Sequence, residues 1–492
     1  MIRLIFRAAP GLLLAGLLAG CTGGAATSLR DAPEAPVAAE VPPPPPPPAD
    51  PDLAALIEAA RSGTWAYEKL AELCDTVGNR LVASPGMARA IAWSQASLRE
   101  AGCDSVWLES VTVPHWTRGR EWARCVGPVE FAMDMVSMGL SEGTGGEVLE
   151  AEVMAVRDWD EFEARRDEAA GKIVLFDMPW EGYGKTVQYR VKGASTVARH
   201  GAVACLIRSV TGRSLGAPHT GMMRYEDDAP RIPMAALTVE DAGRLHRLCD
   251  RGLQPRVQLM MEAANHDSTT SYNVIGEIRG RGKPGQIVLV SGHLDSWDVG
   301  TGAHDDGAGV VQTLAAAREV MQHGGRPLRT VRVVHFTAEE IGVYGGKAYL
   351  AAHRHELDRH VLALESDSGA FAPRGFTIDA DSTVVAEVAR RAAPLAVLAP
   401  GDWNVWKGGS GADVGPIVRQ GVTGAGHRVD GTHYFDVHHS RADTFDKIDP
   451  DELARNVAAI AGLIHLVANH PADLGPAPLA SLPGGSPHSG GH

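Results

Sequence analysis

The sequence predicts an α/β fold in which a mostly parallel or mixed sheet is flanked by helices, with an inserted β-rich module. From about residue 270 onward, strand-like runs alternate with helical patterns, which is typical of a largely parallel sheet. Ile287–Val290 is wholly apolar, as expected of a strand buried on both faces. Between residues 128 and 262 the chain changes to short strands and turns, which indicates a compact insertion.

The individual elements follow from hydrophobic periodicity and from the positions of turn residues. In the main domain we predict helices at Leu53–Ile57, Ala88–Ala101, Gly307–His323 and Leu453–Ala468, and strands at Ser105–Val111, Gln286–Val290, Thr330–Phe336 and Val361–Leu364. In the insertion we predict strands at Gly171–Phe176 and Ala202–Ile207, with a helix at Ala194–His200 between them.

Composition excludes several classes of protein. The 492 residues are 44% hydrophobic and 22% charged, which is ordinary for a globular protein with a large core. A formal charge of −14 without clusters of basic residues argues against nucleic acid as a partner. The six cysteines lack the spacing of metal ligands, so neither a zinc ribbon nor a cysteine nucleophile is supported, while disulfide pairing stays open.

The N-terminus has the features of an export signal. Residues 1–20 combine two arginines, a short apolar stretch and small residues, as in a secretory signal peptide. Leu18–Cys21 resembles a bacterial lipobox, which predicts a lipidated Cys21; an ordinary cleaved signal is the alternative. Pro42–Pro48 is an unbroken run that predicts a stiff polyproline II spacer. We therefore expect an exported protein with a lipid anchor in a bacterial membrane, facing the periplasm or the cell surface.

These features divide the chain into five predicted parts. They are a signal peptide at 1–20, a lipidated cysteine and Pro-rich linker at 21–51, a main domain at 52–127 and 263–470, an inserted domain at 128–262, and a disordered Gly/Pro/Ser-rich tail at 471–492.

Polar side chains able to bind a metal follow the predicted strands of the main domain. In open α/β sheets, ligands bind beyond the carboxyl ends of the strands. Any one of these side chains alone could be a helix cap or a solvated group, but two histidines with several carboxylates at one sheet edge suit zinc. Manganese or cobalt could also occupy such a site. The candidates are His293, Asp295, Asp305, Glu339, Glu340, Asp367, His438 and His439.

A second histidine pair is a less convincing candidate. His355-Glu356-Leu357-Asp358-Arg359-His360 is similar to the H-E-x-x-H motif of zinc proteases, but its second histidine comes one residue too late to share a helix face with the first. We interpret this segment as a solvated helix end.

The combined pattern resembles a known family of enzymes. His293-x-Asp295, Asp305-Asp306-Gly307, Glu339-Glu340, Asp367 and His439 occur in the order found in the di-zinc exopeptidase family that includes aminopeptidase Y. Within that family, Gly292–Gly300, His438-His439-Ser440 and Val113–Trp116 look most like the plasma glutamate carboxypeptidase (carboxypeptidase Q) branch. The resemblance covers about residues 60–470, and the insertion is similar to a protease-associated domain.

The resemblance implies a role for each candidate. His293 and Asp367 would bind one zinc ion, Glu340 and His439 a second, and Asp305 would bridge the two. Glu339 would act as general base, and Asp295 would orient the His293 imidazole. His438 is the alternative to His439. The resemblance also implies a cis peptide bond between Asp305 and Asp306 and a possible homodimer.

The expected function is therefore that of an exported zinc-dependent exopeptidase acting on dipeptides or short peptides. The branch favours a carboxypeptidase or dipeptidase, and an aminopeptidase is the alternative. A glutaminyl cyclase or a non-catalytic receptor-like scaffold is disfavoured because the whole ligand set and Glu339 are present. The expected partners are a small peptide substrate and, through the lipid anchor, a membrane.

Overall fold

Two eight-stranded sheets organise the fold. The computed structural model describes residues 50–474. Its strands, in chain order, are β1 Ser105–Thr117, β2 Glu121–Gly127, β3 Phe131–Met133, β4 Met135–Ser137, β5 Leu149–Val156, β6 Ile173–Phe176, β7 Ala204–Arg208, β8 Met234–Leu237, β9 Arg256–Met261, β10 Ala264–Ile278, β11 Lys283–His293, β12 Arg329–Phe336, β13 His360–Glu365, β14 Pro373–Asp379, β15 Asn404–Lys407 and β16 Gly424–Val429.

Helices cover the faces of both sheets. They are α1 Pro51–Ser62, α2 Trp65–Glu72, α3 Pro85–Glu100, α4 Trp159–Arg165, α5 Tyr183–Ala198, α6 Val239–Asp250, α7 Ala308–His323, α8 Tyr344–His353, α9 Ser382–Ala392, α10 Gly415–Val418, α11 Tyr434–Val437 and α12 Pro450–Ala468. Within residues 50–474, none of them combines the length and the apolar character that a bilayer span requires.

The first sheet has the strand order β1-β10-β12-β11-β13-β16-β14-β15. Its centre is parallel, because β11 pairs in parallel with both β12 and β13, and β13 does so with β16. Antiparallel pairs flank this centre, where β10 joins β1 and β12 and where β14 joins β16. The predicted mostly parallel or mixed sheet flanked by helices is confirmed.

Helices α7 and α12 pack against one face of this sheet and form its main core. Their alanine, valine, leucine and isoleucine side chains are buried against Val288, Val290 and Val331 of the central strands. Each fully buried leucine or valine stabilises the fold by about 1.5–3 kcal/mol. Helix α12 begins where Asp449 accepts the N–H groups of Asp451 and Glu452, as expected of an N-cap.

The start of α7 approaches the loop after β13 very closely. A Cβ atom on Gly309 would lie 1.9 Å from the carbonyl oxygen of Ser366, so a side chain at this position would push the two segments apart. Because Asp305 lies three residues before α7 and Asp367 follows Ser366, this glycine allows two of the predicted metal ligands to lie close together.

The second sheet is built from residues 121–261 in the order β3-β2-β9-β5-β6-β7-β8-β4. Strand β2 belongs to it, so this sheet begins before the boundary that we predicted between 127 and 128. Strands β5 to β8 are parallel neighbours, and helices α4, α5 and α6 follow β5, β6 and β8, so this part of the chain is α/β rather than mainly strands and turns. That it is a protease-associated domain remains a prediction.

Helix α5 is longer than the sequence indicated. We predicted a helix at Ala194–His200, but it begins at Tyr183 and ends at Ala198. Its first half contains Gly184, Thr186 and Val187, which have low helix propensity, and its stability comes from buried residues such as Gly193 and Ala194 packed below β6 and β7.

The chain ends differ in part from the prediction. The predicted signal peptide, the lipidated Cys21 and the proline run lie outside the described residues. Pro51, which we placed in the linker, is the first residue of α1. At the other end, Asp473 forms an ion pair with the buried Arg329 and Leu474 is buried, so the ordered structure continues past residue 470. The five cysteines within 50–474 are free thiols.

Candidate metal centre

All five predicted metal ligands meet at the carboxyl edge of the parallel strands. His293 is the last residue of β11, Glu340 lies in the turn after β12, and Asp367 lies just after β13. Asp305 precedes α7, and His439 follows α11. Each strand therefore delivers its polar side chains to the same place, as the strand pattern predicts.

Asp305 lies between the two histidines. The His293 Nε2 atom is 3.2 Å from Oδ1 of Asp305, and the His439 Nε2 atom is 3.3 Å from its Oδ2. His293 also lies 3.6 Å from Oδ1 of Asp367, and His439 lies 3.0 Å from Oε2 of Glu340. One carboxylate thus faces two separate groups of ligand atoms, one on each oxygen, which is the arrangement that a bridge between two ions needs.

The chemistry of these side chains fits divalent cations. His293, Asp305 and Glu340 are buried, and Oδ2 of Asp305 and Oε1 of Glu340 have no hydrogen-bond partner among the described residues. Burying a carboxylate oxygen without a partner is costly, and a metal ion removes that cost. Imidazole nitrogens together with carboxylate oxygens are typical ligands of zinc.

Electrostatics lead to the same conclusion. Burial, together with the charge of nearby Asp305, raises the pKa of Glu340 to about 7. Burial opposes protonation of His439, but the charges of Glu340 and Asp305 outweigh it and hold the pKa of His439 well above its usual value. A cluster in which carboxylates repel one another and histidines attract protons is one that positive ions would stabilise.

The backbone on both sides of Asp305 is held by carboxylates. The peptide bond between Asp305 and Asp306 is cis, as the family resemblance implied. The Asp306 side chain accepts the N–H of His293 at 2.9 Å and that of Gly309 at 3.0 Å. Asp443 accepts the N–H of His304 at 2.7 Å and that of Asp305 at 3.1 Å. The roles of Asp306 and Asp443 had no signal in the sequence, since they depend on backbone positions in a folded loop.

Asp295 makes contacts other than those expected. Its carboxylate accepts the backbone N–H groups of Glu339 at 3.1 Å and Glu340 at 3.2 Å. The Nδ1 atom of His293 is 3.0 Å from the backbone carbonyl oxygen of Asp295 and 3.9 Å from its carboxylate. The carbonyl therefore orients the imidazole, and the carboxylate holds the turn that carries the two glutamates.

Glu339 lies in the cavity wall beside the ligand cluster, whereas the contact with His439 is made by its neighbour Glu340. Burial raises the pKa of Glu339 well above the usual value; the charge of His293 acts against this, and that of Asp367 adds to it. A buried carboxylate with a raised pKa readily accepts a proton, which is the property that a general base requires.

His438 is a second histidine in the same cavity wall. Its ring stacks on that of His439 with the centroids 3.6 Å apart, and its Nε2 atom is 3.6 Å from Oδ2 of Asp305. His438, His439 and Asp305 could therefore share one ion by distance alone. His439 is the closer of the two to Asp305, and it also contacts Glu340.

Three further ring side chains of the main domain lie outside the ligand cluster. His304 is buried and stacks on Phe371, with ring centroids 4.3 Å apart, so it packs rather than facing substrate. Trp403 packs against Phe376, and Trp406 lies on the edge strand β15. These tryptophans are not part of the cavity wall at the ligand cluster.

The interpretation of His355–His360 as a solvated helix end holds for His355, Asp358 and Arg359, which are exposed, but is wrong for Glu356 and His360, which are buried. Glu356 is buried, and its Oε1 lies 2.8 Å from Nη1 of Arg332 and 2.7 Å from Nδ1 of His353. Nε2 of His360 lies 2.9 Å from the Tyr349 hydroxyl. Glu356 and His360 thus belong to a buried polar network under α8, in which Glu356 is a carboxylate partner of Arg332 from β12.

A cavity of about 170 Å³ opens above the ligand cluster. Its walls come from both sheets, because α5 and the loop between β7 and β8 of the second sheet contribute residues that the sequence analysis did not identify. The lining residues are Tyr183, Arg190, Met222, Asp305, Glu339, Glu340, Gly342, Val343, Asp367, Tyr434, His438 and His439.

Comparison with known proteins decides the family. A family model described as "Peptidase family M28" matches residues 273–464, which contain the predicted ligands. Carboxypeptidase Q of Mus musculus is 41% identical over 406 residues, which is 82% of this chain and 85% of that protein. The chain belongs to peptidase family M28.

Solved structures agree with the M28 fold. A peptidase M28 precursor from Shewanella amazonensis SB2B superposes with a TM-score of 0.82 at 36% identity, covering 87% of this chain and 98% of that one. BSAP, a zinc aminopeptidase from Bacillus subtilis, has a TM-score of 0.63 at 20% identity over 83% of this chain and 96% of that one, which shows a shared fold. M28 membership confirms the predicted family and the prediction of a metallo-exopeptidase, a hydrolase.

Proposed function

We propose that this M28 peptidase is a zinc-dependent exopeptidase that hydrolyses dipeptides or short peptides. The observation that carries the proposal is the position of Asp305, which faces His293 on one oxygen and His439 on the other. The similarity to carboxypeptidase Q, whose name describes a carboxypeptidase, supports a carboxypeptidase or dipeptidase within this class.

Each ligand would have a defined place. His293 and Asp367 would hold one zinc ion, Glu340 and His439 the other, and Asp305 would contact both. Zinc, when bound, supplies the positive charge that polarises the scissile carbonyl and makes water acidic enough to lose a proton near neutral pH. The short contact between His439 and Glu340 supports His439 rather than His438 as the ligand.

Glu339 would move the proton. It takes a proton from the attacking water and gives it to the nitrogen of the leaving amine, so that it ends the cycle ionised again. Its buried position favours the protonated form between these two transfers. The hydrogen bond from its backbone N–H to Asp295 fixes the start of the side chain.

Export and anchoring are proposals that rest on the N-terminal sequence. The lipobox-like Leu18–Cys21 and the proline run after it would hold the peptidase away from a bacterial membrane by a stiff spacer. Labelling of the full chain with a radioactive fatty acid, compared with Cys21→Ser, would test the anchor. Equal labelling of the two chains would contradict it.

The catalytic proposal is tested with the chain from residue 50 onward, loaded with zinc. We expect hydrolysis of unblocked dipeptides, loss of that activity with a chelator, and recovery when zinc is added back. A chain that binds two zinc ions and hydrolyses no peptide would contradict the proposal and favour a scaffold function.

A further inference from the structure

Arg190 of α5 is a buried positive charge in the cavity wall. The residue is 6% exposed, and it lines the same cavity as Glu339 and Asp367. Among residues 50–474, no ion pair within 4.0 Å joins it to a carboxylate. A buried guanidinium without an acidic partner is costly, so its retention beside the catalytic groups calls for an explanation.

The polar contacts of Arg190 leave part of the guanidinium free. Nη1 donates to the carbonyl oxygen of Thr220 at 3.2 Å, and Nη2 donates to the Tyr183 hydroxyl at 2.8 Å. Nη1 also lies 3.3 Å from Nδ1 of His439, while Nε has no hydrogen-bond partner among the described residues. The two Nη atoms donate to neutral acceptors and Nε has no acceptor, so the charge of the guanidinium is not compensated.

The contact with His439 does not compensate the charge of the Arg190 guanidinium. A histidine that binds an ion through Nε2 carries its proton on Nδ1, and that proton has an acceptor in the Thr220 carbonyl at 3.3 Å. Nδ1 then cannot accept a hydrogen bond from Arg190. When the metal site is occupied as proposed, the guanidinium therefore has one contact fewer and remains positively charged.

The position of the guanidinium is fixed by its surroundings. A Cβ atom on Gly221 would lie 2.2 Å from Nη1 and 2.4 Å from Cζ, so the guanidinium packs directly on the glycine backbone. The Tyr183 ring lies on another side, with its centroid 5.6 Å from Cζ. A guanidinium held in this way is organised in advance for an anion, which lowers the entropy cost of binding.

The charges in the cavity indicate which substrate group it would bind. Two divalent ions would balance the carboxylates of Asp305, Glu339, Glu340 and Asp367, which leaves the charge of Arg190 in excess. We propose that Arg190 binds the free carboxylate of the substrate's C-terminal residue and thereby makes this peptidase read the carboxyl end. Arginine forms paired, charge-assisted hydrogen bonds with carboxylates, and the same charge would repel a free amino terminus. This inference rests on the proposed peptidase function and adds the terminus that is recognised.

The test compares one dipeptide in two blocked forms. The N-acetylated form offers only a free carboxylate, and the C-amidated form offers only a free amine. We expect zinc-loaded wild-type chain to cleave the acetylated form. Arg190→Met should lower kcat/KM for that form by about 100-fold, mainly through KM, with zinc content unchanged. Lys192→Met removes a positive charge from an exposed position on the same helix and should behave like wild type.

Arg190→Lys provides a second variant if the methionine variant does not fold. Lysine keeps the positive charge but lacks the planar guanidinium with its paired donors, so we expect kcat/KM for the acetylated form to fall by at least about tenfold. Calorimetry gives a readout independent of turnover. The product amino acid should bind wild type more tightly than its amide does, and Arg190→Met should abolish this preference.

The outcomes separate this inference from the proposed function. The inference is overturned if wild type cleaves only the amidated form. It is also overturned if Arg190→Met weakens cleavage of both blocked forms equally and weakens binding of the amino acid and its amide equally. In either case the exopeptidase proposal stands. If neither form nor the unblocked dipeptide is cleaved, the proposed function fails, and the calorimetric preference alone decides the role of Arg190.

Discussion

The carboxylate of Asp295 accepts the backbone N–H of Glu339 at 3.1 Å, and its second oxygen accepts that of Glu340 at 3.2 Å. Asp295 follows β11, whereas the glutamates follow the neighbouring β12. The proposed base and its adjacent ligand are thus held by a side chain from a different strand. His293 is oriented by the backbone carbonyl of Asp295, which no substitution of the side chain removes.

This relationship predicts the effect of Asp295→Asn. The amide can accept one of the two N–H groups and presents its own N–H₂ to the other, so the turn with the glutamates should shift. We expect hydrolysis to fall by about 10- to 100-fold while zinc at the His293 position is retained. Initial rates and metal analysis measure both effects, with the exposed Asp267→Asn as control. If the zinc bound by His293 is lost instead, the result would mean that the Asp295 carboxylate orients the His293 imidazole.

Glu339→Gln should separate catalysis from metal binding. The amide cannot accept the proton from water, so we expect hydrolysis to fall by about 10²- to 10⁴-fold. Zinc content should remain near that of wild type, because Glu339 is not one of the proposed ligands. Glu340→Gln is the matched control and should lose zinc. Equal zinc loss in the two variants would reject the division of roles between these neighbours.

The two adjacent histidines should differ in their effect on metal content. His439 lies 3.0 Å from Glu340 and 3.3 Å from Asp305, so His439→Ala should reduce zinc toward one ion per chain. His438→Ala should keep both ions, since the Nε2 atom of His438 is 3.6 Å from Asp305, farther than that of His439. Metal analysis after dialysis measures this. If His438→Ala loses more zinc than His439→Ala, His438 is the ligand.

The network around Glu356 predicts how stability depends on pH. Burial opposes ionisation, but hydrogen bonds and charge from Arg332, followed by those of His353, lower the pKa of Glu356 to about 2. The pKa of Glu356 in the folded protein is thus below its unfolded value of 4.5. The ionised carboxylate therefore stabilises the fold at pH values above 4.5, and this stabilisation is lost as the pH falls toward 2. Glu356→Gln should therefore lower the free energy of unfolding by about 1–3 kcal/mol at neutral pH, and by progressively less below pH about 5.

Urea unfolding of the metal-free chains measures this difference without interference from metal release. Glu163→Gln, which affects an exposed pair with Arg166, is the control and should change little at any pH. If the difference in free energy of unfolding between wild type and Glu356→Gln stays the same at acid pH, that result would contradict an ionised Glu356.

Much of the site was predictable because it lies where strands end. The apolar runs of β11, β12 and β13 mark three neighbouring parallel strands, and the polar residues directly after them must meet at one edge. His293, Glu340 and Asp367 could be placed in this way from local patterns. Asp305 and His439 lie on loops, and they were identified through the order of residues that the family resemblance supplied.

Other features had no local signal. Helix α5 has weak helix propensity at its start, so its length depends on packing against β6 and β7. The burial of Glu356 depends on Arg332, which is a strand residue that periodicity alone does not orient. The contacts of the Asp295 carboxylate depend on the direction of one side chain between two strands.

The sequence by itself determined the fold class, the family and the set of side chains that could hold metal, because strand periodicity and residue order are encoded locally. Only the tertiary structure decided which atoms face one another. Arg190 lies about 100 residues before His293, yet folding buries its guanidinium in the wall of the same cavity as the metal ligands. Such a contact depends on long-range packing of one sheet's helix over the other sheet's edge, and no short segment of sequence contains that information.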